Sequence, residues 1–182
     1  MAWNENLLKG RMAESLVEEL LKRAGNKVFR FGYEAVLQNL TQLEGAFDGE
    51  CEVGQQIRSI PDFLVLNESG KPFFVEVKFR AVVGGKEMQA LLEKIGRYWT
   101  AKVVVVTVRK PYFLVAGAPS SDGHSHFDDL ENDQDLNVRS DALAEFNRLV
   151  ENYFGKTCCD GIGEKHASFF AKPPDLPSCR PL

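Results

Sequence analysis

Residues 101–108 contain Val103-Val104-Val105-Val106, a run that is apolar on both faces of an extended strand, and this restricts the fold more than any other feature of the chain. A strand with one wet face alternates polar and apolar side chains, whereas a strand covered on both sides reads as an unbroken β-branched run. Ala101 to Val108 is therefore expected to be a central strand with a layer above and a layer below it. Three amphipathic patterns can supply those layers. Residues 5–24 place Ala13, Leu16, Val17, Leu20 and Leu21 on one arc and end at Gly25. Lys86 to about Trp99 turns Met88, Leu91, Leu92, Ile95 and Trp99 inward, and Ser140 to Phe154, with Ser140 as its N-cap, does the same with Leu143, Phe146, Leu149, Val150, Tyr153 and Phe154.

The other strand signals are Lys27–Tyr33, with Val28, Phe29 and Phe31 for the core, then Phe63–Leu66, Phe73–Phe79 and Tyr112–Ala116. Between the second and third lies Asn67-Glu68-Ser69-Gly70. If Glu68-Ser69-Gly70 is a three-residue loop with Gly70 in the left-handed region, Asn67 opposes Lys71 and, counting back, Asp62 faces Glu76. Alternation along the strand then sets Phe74, Glu76, Lys78 and Arg80 on one face. Opposed carboxylates repel unless a cation lies between them, and hard oxygen ligands suit Mg²⁺ or Mn²⁺. A cross-strand ion pair on a solvated sheet face is the plainer alternative.

Pro61-Asp62, thirteen residues, then Glu76-Val77-Lys78 resembles the signature of the PD-(D/E)XK nuclease superfamily. The order of elements is most similar to its small archaeal Holliday junction resolvase-like members, over roughly residues 7–116. The resemblance implies an α/β protein with a restriction-endonuclease-like αβββαβ core, a mixed central sheet flanked by helices, and a C-terminal helix with an extended tail. It implies a Mg²⁺-dependent deoxyribonuclease, with Mn²⁺ as substitute, acting on DNA in repair or recombination, and a twofold homodimer. Asp62, Glu76 and the Val77 carbonyl would hold the metal and Lys78 would orient the water. Gly10-Arg11-Met12-Ala13-Glu14 is similar to the first-helix segment where such nucleases carry a further acid, making Glu14 a catalytic and metal candidate; an edge glutamate paired with Arg11 or Lys22 is the alternative. Lys9, Arg11, Arg58, Arg80, Lys86 and Gln89 are the DNA-binding candidates. A non-catalytic nucleic-acid-binding or assembly module keeping this fold is the rival, and a structural protein with surface ion pairs a third reading.

Charge bears on the partner. The chain of 182 residues has a net charge of −4, yet residues 71–110 hold nine Lys/Arg against three Glu. A local positive field can hold phosphates on an acidic protein. No stretch approaches a membrane span, and Met1 to Asn6 lacks a signal-peptide pattern, so a cytoplasmic protein without membrane contact is expected. Residues 1–154 form the expected nuclease-like domain. Within it, Ala35 to Leu43 reads as a short helix, and Gly45, Asp48, Gly49 and Gly54 suggest an acidic loop up to residue 57. Residues 117–137 read as an acidic loop with few apolar anchors that could shield the basic cleft, with His124, His126 and Asp128 as an outside metal set. The extended tail, 155–182, carries Cys158, Cys159, His166 and Cys179 in spacings unlike the paired zinc-ligand patterns, and Phe169-Phe170 as a docking pair for a partner subunit.

Overall fold

The computed structural model of the chain describes residues 5–32, 50–83, 86–116 and 126–154. These form an α/β structure: six strands in one mixed sheet, ordered β1 to β6 as in the chain, and four α-helices. In chain order they are α1 (Glu5–Arg23), β1 (Lys27–Arg30), α2 (Glu52–Arg58), β2 (Phe63–Leu66), β3 (Pro72–Phe79), α3 (Lys86–Tyr98), β4 (Ala101–Val106), β5 (Phe113–Ala116), β6 (Phe127–Asp129) and α4 (Ser140–Tyr153). Only β3 and β4 run parallel; the other neighbours are antiparallel. A parallel pair needs a crossover, and α3 supplies it.

The four valines divide as a doubly covered strand requires. Val104 and Val106 join Val75, Val77 and Val115 in the core beneath α1 and α4, while Val103 and Val105 join Met88, Leu92 and Ile95 of α3 on the opposite face. Burying each valine contributes roughly 1.5 kcal/mol or more. Phe74 extends the α3 face and stacks with Phe31 and Trp99 at centroid distances of 5.2 and 5.3 Å.

Helix α1 stops where the sequence indicates. Gly25 has φ +92°, its N–H donates to the Lys22 carbonyl, and the Asn26 N–H reaches back to Leu21 at 3.1 Å. This pair of bonds satisfies two end carbonyls in a left-handed C-terminal cap. Buried Asn26 also donates its side-chain amide to the carbonyls of Leu21 and Leu136, tying α1 to the chain before α4. Asn26→Ala is expected to cost about 2 kcal/mol in urea unfolding, because two buried carbonyls lose a donor.

Several expectations need correction, and Tyr153, expected to face inward from α4, is exposed. The expected loop before β2 contains α2, whose N-cap Cys51 accepts from the Gly54 N–H through Sγ at 3.3 Å. The first strand ends at Arg30 rather than Tyr33, because the Phe31 and Gly32 N–H groups turn to the Asp62 carbonyl, and Phe29 is half-exposed instead of joining the core. Arg139, not Ser140, is the N-cap of α4.

The largest difference is the acidic stretch. Strand β6 and a 3-10 turn at Leu130–Asn132 replace the expected loop, and Leu130, Leu136 and Val138 are buried. Its acids face lysines: Lys102 bridges Asp133 at 2.6 Å and Asp135 at 3.1 Å, and Lys71 bridges Asp135. The stretch thus neutralises two of the nine cations of residues 71–110, so that segment does not form one basic surface. The expected helix at 35–43, His124 and the cysteine-bearing tail lie outside the described residues. No helix among the described residues is long and apolar enough to cross a membrane.

Candidate active site

The β2–β3 turn sets the register of the site. Asn67 N–H donates to the Lys71 carbonyl, Gly70 N–H returns to Asn67, Gly70 has φ +79°, and the Asn67 carboxamide accepts from the N–H groups of Ser69 and Lys71. Pairing then runs Leu66 with Pro72 to Phe63 with Val75. One step beyond the last pair, Asp62 stands opposite Glu76.

Asp62 is held at three points. Its backbone carbonyl accepts from Phe31 at 2.8 Å and Gly32 at 3.1 Å, and its carboxylate Oδ2 accepts from the Val77 N–H at 2.8 Å. The side chain thus takes the place of the next β2 residue in the ladder. A strand residue directs its N–H and C=O to the same edge, so the Val77 carbonyl shares this edge with Asp62. The Phe31–Phe74–Trp99 cluster anchors Phe31, and through it the Asp62 backbone, to the layer beneath.

Glu76 is 9 % exposed and ion-paired with Lys78. Burial pushes its carboxyl up to about 7; Lys78 pulls it down and Asp62 pushes it further up. Burial works against the Lys78 ammonium as well, but the charges of Glu76 and Asp62 outweigh it and raise that pKa. The pair therefore resides in a site where a second cation would be welcome and a second anion would not.

These groups line a cleft of about 250 Å³ that opens where β2 begins, so both layers reach it. Helix α1 contributes Arg11 and Glu14, α2 contributes Arg58, Asp62 lies immediately before β2, and β3 contributes Glu76 and Lys78. Six of the residues singled out from sequence are thus brought together. Others are not: Lys9 bridges Glu5 at 2.7 Å and lies over the Phe79 ring, Arg80 donates to the Phe79 carbonyl, and Lys86 and Gln89 lie on α3 outside the lining. Arg58 is itself bridged to Glu50 at 3.0 Å. His126 and Asp128 are 3.8 Å apart and both exposed, far from enclosing an ion.

Sequence reasoning missed Arg30 and Gly32, which also line the cleft. Arg30 pairs with Phe63 across β1–β2, next to Asp62, and its guanidinium bridges Glu18. The signal was the register of β1 against β2, which no turn motif reveals. No known protein family matches the sequence, and no curated protein or solved structure matches it.

Proposed function

We propose that the chain is a metal-dependent DNA endonuclease of the PD-(D/E)XK superfamily, hydrolysing phosphodiesters with an activated water. One observation carries the reading: Asp62 and Glu76 stand opposite each other where the β2–β3 ladder ends, and share a cleft with Lys78 and Glu14. The order α1-β1-β2-β3-α3-β4, with α2 inserted, agrees with the αβββαβ core of that superfamily.

The donor set fits a hard divalent cation. Mg²⁺ is commonly held by one or two carboxylates together with waters and substrate phosphate, rather than by an all-protein cage. Asp62, Glu76 and the Val77 carbonyl match that habit, and among the described residues no cluster of three or more His, Cys, Asp or Glu forms such a cage. Burial leaves Glu76 half-protonated near neutral pH even beside Lys78, so the site lacks positive charge that an ion would provide. Bound Mg²⁺ or Mn²⁺ supplies a more acidic water and neutralises charge on the phosphate.

The chain's own groups do the rest. Asp62, pinned by its carbonyl and its Oδ2, holds its carboxylate at a fixed angle, which limits the reorganisation needed in the reaction. Lys78, charged through physiological pH, donates to a water or to a non-bridging phosphate oxygen as negative charge grows there. Glu14 adds a carboxylate from the opposite layer, while Arg11 and Arg58 attract the flanking phosphates. A twofold homodimer would present two such clefts, one for each strand.

Calorimetric titration of Mg²⁺ and Mn²⁺ into the wild-type and Glu76→Ala proteins, with branched and linear DNA assayed alongside, tests the reading. Metal binding lost in the variant, with cleavage by the wild type, is the expected result. A wild type that binds no metal even with DNA present overturns it. The Lys78–Glu76 ion pair favours a second reading, since the protein already compensates part of the buried charge by itself. Such a non-catalytic DNA-binding module would bind DNA in a salt-dependent way with or without Mg²⁺ and would be indifferent to substitution of Glu76.

A further inference from the structure

We propose that DNA bound in the cleft leaves it across Arg58 and runs along α3, its phosphates held by Lys94 and Arg97. This deepens the nuclease reading and rests on it. A second groove, of about 340 Å³, lies between α2 and α3; its charged lining is Arg58, Lys94 and Arg97 with Glu50 and Glu93, and Tyr98 also lines it. Arg58 lines both this groove and the Asp62–Glu76 cleft, so the two adjoin at its side chain.

Arg58 is bridged to Glu50, but Lys94 and Arg97 differ from most other cations of the described residues. Lys22, Arg23, Arg30, Lys71 and Lys102 are each bridged to an acid. Lys94 and Arg97 are exposed and, among the described residues, have no ion-pair partner, although Glu93 lies beside them and accepts from Gln89. On a 3.6-residue period Lys86, Ala90, Lys94 and Arg97 follow one stripe of α3. The stripe is basic at both ends, and small Ala90 leaves room between them for a strand to lie close.

The groove is also built in advance of any ligand. The Tyr98 hydroxyl donates to Gln55 Oε1 at 3.4 Å, and the Trp99 indole N–H to the Gln56 carbonyl at 3.5 Å, fastening α2 to the end of α3. Trp99 is in turn wedged against Phe31 and Phe74. Preset walls spare a ligand the cost of ordering them. From Lys86 to Arg97 the helix rises about 17 Å, the axial rise of roughly five base pairs. The substrate it fits is a duplex arm extending beyond the scissile bond, rather than a nucleotide end.

Fluorescence anisotropy in the Asp62→Asn background, which leaves DNA intact, tests this with labelled hairpin duplexes whose stems are roughly 15 and roughly 5 base pairs. Adding Lys94→Ala and Arg97→Ala is expected to weaken the long duplex roughly tenfold near about 0.1 M salt and to lower the salt slope by about two, alike for unrelated sequences. Affinity for the short duplex should not change, and Lys94→Arg with Arg97→Lys should restore the long one. Unchanged affinity and slope for the long duplex, in a parent that binds it, overturn the track and leave the nuclease reading in place. A parent that binds neither duplex removes both.

Discussion

Asp62→Asn is expected to reduce DNA cleavage by about 10³-fold or more, on the order of 4 kcal/mol of transition-state stabilisation, while the protein stays folded. The asparagine is the informative substitution because Asp62 has two tasks. Its Oδ2 accepts the Val77 N–H that continues the sheet edge, and its charge, opposite Glu76, is the one assigned to the metal. A carboxamide oxygen preserves the first and removes the second. Asp62→Ala removes both, so it should lose activity to the same degree and, in addition, about 1–2 kcal/mol of stability, because the N–H loses its acceptor. Single-turnover cleavage and urea unfolding, measured on both variants, separate the two. An Asp62→Asn protein that cuts at the wild-type rate would falsify the assignment of Asp62.

The metal-free protein is expected to lose stability as the pH rises from about 4.5 to about 7, and Glu76→Gln should abolish most of that loss. The Glu76 carboxyl is raised from 4.5 to about 7 by burial, with Lys78 opposing and Asp62 adding to the shift. In that window the folded state holds a proton that the unfolded chain has released, so folding is linked to proton uptake and stability falls with pH. The contribution is fully present below about 4.5 and gone above about 7, and is on the order of 3 kcal/mol. Glutamine keeps the shape without a charge, so the variant should be more stable than the wild type at pH 8 and close to it at pH 5. Mg²⁺ should raise the melting temperature of the wild type at pH 8 and leave the variant unchanged. A wild type and variant with parallel stability curves between pH 5 and 8 would show that Glu76 is not strained by its burial.

Much of this site was legible because it rests on short-range rules. The loop Glu68-Ser69-Gly70 needs a left-handed residue, Gly70 is placed to supply it, and strand alternation carries the consequence along β3 to Glu76 and Lys78. The acidic stretch is illegible in the sequence for the opposite reason. Asp133 and Asp135 look solvated in isolation, and their role depends on Lys71 and Lys102, which are far away in the chain. Likewise, α2 is short and weakly apolar, and its position follows from contacts with Tyr98 and Trp99 rather than from its own periodicity.

From sequence alone come the doubly covered strand, the three amphipathic helices, the hairpin register and hence the pairing of Asp62 with Glu76, all consequences of local backbone geometry and of where apolar side chains recur. Tertiary structure alone decides the depth at which Glu76 is buried, the bond from Val77 to Asp62 that replaces a ladder partner, the entry of Arg30 into the cleft and the meeting of two grooves at Arg58. The reason is physical: periodicity tells which face of an element is covered, whereas desolvation, charge pairing and cleft shape depend on what another part of the chain brings to that face.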